Sequence, residues 1–175
     1  MTGRVPREAF DQVIKATGEW LQSLGFTPRA AVLRIQAQGN CGIIEFQRSV
    51  KSSRDKILFT VNVGIVCGDI LDSEAPLQDM QQARFVHAQI RQRIGAFLPG
   101  HPDKWWEVTS STDADALARE LLELLLKDAV PFIQRYLGTD SIISLWESGQ
   151  SPGLTDGQRA DLLATLKAKR QGGGT

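Results

Sequence analysis

Apolar residues open the chain at steps of three and four. Phe10, Val13, Ile14, Leu21 and Leu24, with Trp20 between them, predict an amphipathic helix from about Pro6 to Leu24. Pro6 suits its first turn and Gly25 its C-terminal cap. From Ala30 the period drops to two: Val32, Arg34 and Gln36 fall on one side of an extended segment, and Leu33, Ile35 and Ala37 on the other. Gly39-Asn40 reads as a two-residue hairpin turn. A second alternating segment runs from Cys41 to Val50, with Ile44 and Phe46 on one face and Ile43, Glu45 and Gln47 on the other. Ile57 to Cys67 is the third strand, with Phe59, Val61, Val63 and Ile65 inward and Thr60, Asn62 and Gly64 outward. These make an antiparallel meander.

Residues 68–82 mix acidic positions with Pro76 and read as a loop with one helical turn. Arg84 to Arg93 alternates again, with Phe85, His87, Gln89 and Arg91 on one face, and predicts a fourth strand. Lys104 to Val108, carrying Trp105-Trp106, reads as a short edge strand. The last third is helical. Ser111 or Thr112 caps a helix with a stripe of Leu117, Leu121, Leu124 and Leu125, which Pro131 kinks or ends. Short helices follow over Val130 to Leu137 and Ile142 to Glu147, and a terminal helix over Asp156 to Arg170. The expectation is an α+β fold: an antiparallel meander of four to five strands with an N-terminal helix and a C-terminal helical segment. Residues 1–170 form one domain in this reading, and the glycine-rich residues 171–175 a disordered tail.

The order of several strings along the chain resembles a widespread, mainly bacterial family called domain of unknown function 4304. The strings are Leu24-Gly25-Phe26, Ile44-Glu45-Phe46-Gln47-Arg48-Ser49, Phe59-Thr60-Val61-Asn62-Val63-Gly64-Ile65, Arg91-Gln92-Arg93-Ile94-Gly95 and Trp105-Trp106. The resemblance implies an antiparallel sheet with flanking helices and implies no activity. Where the family usually has a basic, aromatic strand, Phe26-Thr27-Pro28-Arg29-Ala30 carries less charge.

Charge narrows the function classes. Twenty Lys and Arg balance 20 Asp and Glu. No net field draws the molecule toward polyanions, which argues against nucleic acid. A small basic cluster, Arg48, Lys51, Arg54 and Lys56, reads as a solvated turn. Two cysteines, Cys41 and Cys67, lie far in sequence from His87 and His101, so neither a metal set nor a cofactor motif is expected. No apolar run reaches the length of a membrane span, and the reading is a reduced, cytoplasmic protein. Trp146, near a helix end, is a candidate exposed anchor for a partner.

One surface stands out. The outward face of the meander gathers Arg34, Gln36, Glu45, Gln47, Asn62, His87, Gln89 and Arg91. Arg34 or Arg91 would anchor a carboxylate, a phosphate or a peptide backbone, with Asn62 and Gln47 setting its orientation. The competing account is a solvated sheet face, polar for that reason alone. His87 beside Glu45 would form an acid/base pair if the two met. No nucleophile elbow, phosphate-cradling loop or metalloprotease helix occurs. The expected function is therefore a non-enzymatic module that binds another protein, of adaptor or toxin-neutralising type. The alternative is a small-ligand receptor or enzyme acting around Asn62, His87 and Arg91.

Overall fold

The computed structural model describes residues 5–74 and 79–172. Helix α1, Pro6–Gln22, begins on its proline and buries Ala9, Phe10, Val13, Thr17 and Leu21 along one stripe. Gly25, at φ 90°, ends it, and the Phe26 N–H returns to Leu21 O. Strands β1 (Thr27–Arg29), β2 (Val32–Ala37), β3 (Asn40–Arg48) and β4 (Lys56–Val66) then run up and down in antiparallel register. Helix α2 (Gly68–Glu74) follows, then 3-10 turns at Met80–Gln82 and Phe85–His87, β5 (Ile90–Arg93) and a further 3-10 turn at Ile94–Phe97. Strand β6 (Trp106–Thr109) closes the sheet. Helix α3 (Ala114–Leu124) passes through a π turn, Leu125–Ala129, into α4 (Val130–Tyr136), and α5 (Thr139–Glu147) and α6 (Asp156–Gly172) complete the chain.

The fold is α+β, with six strands. β4 is the longest, at 11 residues. One of its edges pairs with β3, while the other is divided: Asn62 to Ile65 pair with β5, and Lys56 to Phe59 with β6. Leu33, Ile44, Phe46, Phe59, Val61, Val63, Trp106 and Val108 form one face, which packs under α1, α3 and α4. Phe59 stacks on Trp106, centroids 5.5 Å apart, and meets Phe10 at 5.0 Å. A second core lies at the end of β4, where α5 and α6 pack Trp146, Leu162 and Leu166 onto Ile65, Ile70 and Ile90. Lys167 to Glu147 and Arg170 to Asp140 tie α6 to α5. Trp146 is only 1% exposed, so it is a core residue and not a surface anchor.

Four local expectations shift. Residues 84–93 form a strand only over Ile90–Arg93, because β4 offers β5 just four partners before the chain leaves its edge. The hairpin turn sits one residue earlier than Gly39-Asn40. Gln38 and Gly39 hold its two positive φ angles, 53° and 79°. Asn40 is freed to serve as a clamp: its Nδ2 donates to Leu137 O (2.8 Å) and Thr139 Oγ1 (3.1 Å), and its Oδ1 accepts from Gly68 N–H (3.1 Å). The cap of α3 is Asp113, which accepts from the Asp115 and Ala116 N–H groups, while Thr112 instead accepts from the Thr109 N–H. Helix α6 continues to Gly172, two residues into the stretch expected to be unordered; residues 173–175 lie outside the described residues. No helix among the described residues is long and apolar enough to cross a membrane.

Candidate functional site

The alternation along β2, β3 and β4 does place Arg34, Gln36, Glu45, Gln47 and Asn62 on the face opposite the helical core. Much of that face is not left to solvent. Residues 79–89 lie across it as a strap, burying Ala83 and Ala88 with Val32, Cys41, Ile43, Val66 and Leu71. Gly64 makes the close approach possible: a Cβ there would stand 2.8 Å from the Ala88 Cβ and 3.1 Å from Phe85 Cδ2.

A backbone segment laid on a sheet must find partners for its N–H and C=O groups. The polar side chains of this face supply them. Arg34 Nε donates to Ala83 O at 2.7 Å. Glu45 receives the fork of Arg84, Nη2 at 2.5 Å and Nε at 3.1 Å, and the Phe85 N–H at 2.8 Å. Gln89 accepts from the Cys67 N–H at 2.9 Å and donates to His87 O, and His87 Nδ1 accepts from the Arg84 N–H at 2.9 Å. Burial alone would raise the Glu45 carboxyl, but the bonds from Arg84 and Phe85 outweigh it and hold the group below the ordinary carboxylate range. Burial pushes both cysteine thiols up, each to about 11. Cys41 and Cys67 belong to different cores, on opposite sides of the sheet.

The eight candidate residues thus fall into separate groups. His87, Gln89 and Arg91 come together in a cleft of about 340 Å³ between the strap and α6, walled by Leu71, Val86, Leu154 and Leu162 and fringed by Gln158 and Asp161. Arg91 is fixed there by its Nη2 on Gly153 O, 3.0 Å, and by its own N–H on Pro152 O. Arg34 and Glu45 meet the start of the strap instead. Asn62, 2% exposed, donates to Gln47 Oε1 at 2.7 Å, and its buried Oδ1 has no partner among the described residues. Gln36 stands exposed opposite Cys41, apart from the others. Glu45 and His87 are joined through Arg84 and make no hydrogen bond to each other. Among the described residues, no three His, Cys, Asp or Glu side chains converge as a metal set.

The same geometry brings in residues that alternation along the chain leaves out. Arg84 falls on the inward parity of an uninterrupted strand over 84–93, and Val86 on that same parity, yet both stand exposed on the strap. The loss of strand pairing before Ile90 is what turns them outward.

The sequence model of a family described as Domain of unknown function (DUF4304) matches residues 17–135, more than half of the chain. The chain belongs to the DUF4304 family. No curated protein and no solved structure matches it. The DUF4304 span begins in the last part of α1, covers the whole sheet, the strap and the helices from α2 through most of α4, and stops before α5 and α6. The strap wall of the cleft therefore lies inside the DUF4304 span, and its α6 wall outside it.

Proposed function

We propose that the protein is a non-enzymatic module that binds another protein, and that it takes a short segment of its partner into the cleft between the strap and α6. One observation carries the reading: Val86 is 73% exposed on a segment whose backbone is anchored on both sides of it. The Arg84 fork on Glu45, the Arg84 N–H on His87 and the Gln89 N–H on Ile65 O fix the backbone before and after it. An apolar side chain held rigidly in water beside Leu71, Leu154 and Leu162 suits an apolar anchor on a partner. His87, Gln89 and Arg91 supply polar groups at the same cleft, as a recognition site needs. Joint action of Asn62, His87 and Arg91 on a small ligand has less support, because Asn62 is buried against Gln47.

The test compares wild type with Val86→Asp. Both are immobilised, exposed to lysate of the native host, and any retained protein is purified and titrated against each form. A one-to-one complex with wild type, weakened about tenfold or more by Val86→Asp at equal melting temperature, supports the reading. Equal affinity for the two forms, or no retained protein, removes it.

A further inference from the structure

A second concave feature lies at the other end of the strap, away from the cleft and independent of the protein-binding reading. It is a groove of about 500 Å³, walled by Arg29, Val32 and Arg34 from the β1–β2 hairpin and by Gln81, Gln82 and Arg84 from the strap. None of the side chains lining it is acidic. Arg84 has its counter-charge in Glu45. Arg29 and Arg34 form no ion pair among the described residues.

Arg34 carries the argument. It is 7% exposed, and its bond to Ala83 O uses one of its five N–H groups. Burial pulls its guanidinium below the ordinary value; Arg84 and Arg29 act in the same direction, while Cys41 and Glu45 oppose them. A cation withdrawn from water with no carboxylate in contact is costly unless another group brings negative charge. The groove is the open approach to it. Ala30 lies next to Arg29 in the hairpin turn and lines the same groove, at φ 52°, a left-handed conformation that alanine rarely adopts. Non-glycine residues held in such conformations cluster at ligand sites.

We propose that this groove binds a phosphoryl group. With Arg84 neutralised by Glu45, two positive charges are left over, those of Arg29 and Arg34, and a phosphate dianion matches two where a carboxylate matches one. Arg34 supplies the buried guanidinium, Arg29 closes from the exposed end of β1, and Gln81 and Gln82 offer amide donors from the strap. The phosphoryl group belongs either to a free phosphorylated small molecule or to a phosphorylated side chain of another protein.

Calorimetric titration of the full chain at matched ionic strength separates these cases, with inorganic phosphate, adenosine monophosphate, a phosphoserine peptide and acetate as probes. Inorganic phosphate should bind and raise the melting temperature, and acetate should bind more weakly. Arg29→Ala should weaken phosphate binding about tenfold or more while melting like wild type, since Arg29 is exposed. Lys51→Ala, in the separate exposed basic loop, should leave it unchanged. Tighter binding of the nucleotide than of the peptide assigns the source to a small molecule, and the reverse to a protein side chain. Acetate binding as tightly as phosphate, an Arg29→Ala variant that binds like wild type, or no binding at millimolar phosphate overturns the proposal.

Discussion

Asn40→Ala should destabilise the protein far more than the loss of a hairpin-turn residue would. The side chain is 1% exposed and makes three hydrogen bonds, to Leu137 O, Thr139 Oγ1 and the Gly68 N–H. They join the start of β3 to the junction of α4 with α5 and to the first residue of α2. Each such bond contributes about 1 kcal/mol net, and a buried backbone group left without a partner costs about 1–3 kcal/mol more. Some of the freed groups will find water, so the expected loss is about 3 kcal/mol. For a chain of this length that lowers the melting temperature by roughly 10 °C. Thermal unfolding followed by circular dichroism reads it directly. Asn40→Asp sharpens the test, because at neutral pH it sets a carboxylate against Leu137 O and removes a donor. It should be at least as damaging at pH 7, and the gap to wild type should narrow as the carboxyl protonates and regains a donor. An alanine variant that melts within 2 °C of wild type would refute the clamp.

The clasp between Glu45 and Arg84 should make stability depend on pH. The folded carboxyl lies below its ordinary value of 4.5, so its contribution is fully present above that value and is lost as pH falls through the folded pKa. Between pH 6 and pH 3 wild type should therefore lose more melting temperature than Glu45→Gln; parallel losses would remove the clasp from the account. Gly64→Ala should lift the strap, because its Cβ would meet the Ala88 Cβ at 2.8 Å, and overpacking of this kind costs about 1–3 kcal/mol. Trypsin should then cut after Arg84 roughly tenfold faster, and an unchanged rate counts against close strap packing. Ala30→Gly should raise stability by about 0.5–1 kcal/mol, since it relieves φ 52° at an exposed turn; a lower melting temperature would contradict that strain. Cys41 and Cys67, buried with thiols near 11, should react with a thiol reagent at pH 8 only as fast as the protein unfolds.

The meander was legible because its two faces meet different surroundings. Phe59, Val61, Val63 and Ile65 enter the helical cores, and that alone sets period two along β4. Period says nothing about what lies on the opposite face. Arg34 and Glu45 were readable as polar residues on one side, but polar because of a strap reads the same as polar because of water. Residues 84–93 alternate too, yet a strand needs a partner edge, and β4 ends at Val66, one residue past Ile65, the partner of Ile90. Asn is a common turn residue, so Gly39-Asn40 was the natural choice of turn; the buried bonds of Asn40 outweigh that preference and push Gln38 to φ 53°. Strand β1 is invisible to periodicity because three residues around Pro28 are too few to show a period. Arg29 and Arg84 escape the alternation for the same reasons: one ends the three-residue β1, and the other lies on a strap whose own alternation mimics a continuous strand.

The π turn before Pro131 bears on which length changes the chain tolerates. Ala114, Ala118, Leu121, Leu125, Ala129, Ile133 and Leu137 are all buried, six steps over twenty-three residues, or about 3.8 residues per turn. A regular α-helix advances about 100° per residue and would carry Leu137 some 140° round the axis from Ala114. The extra residue in the wide turn cancels most of that drift, so one continuous rod keeps Leu121 and Ile133 on the same core. It also removes the need for the hydrogen bond that Pro131 cannot donate. Deleting one residue between Leu125 and Ala129 would restore an ordinary helix and swing Phe132 and Ile133 away from their partners. Homologous chains should accordingly vary in length in the turns between strands and hold this stretch to a constant count.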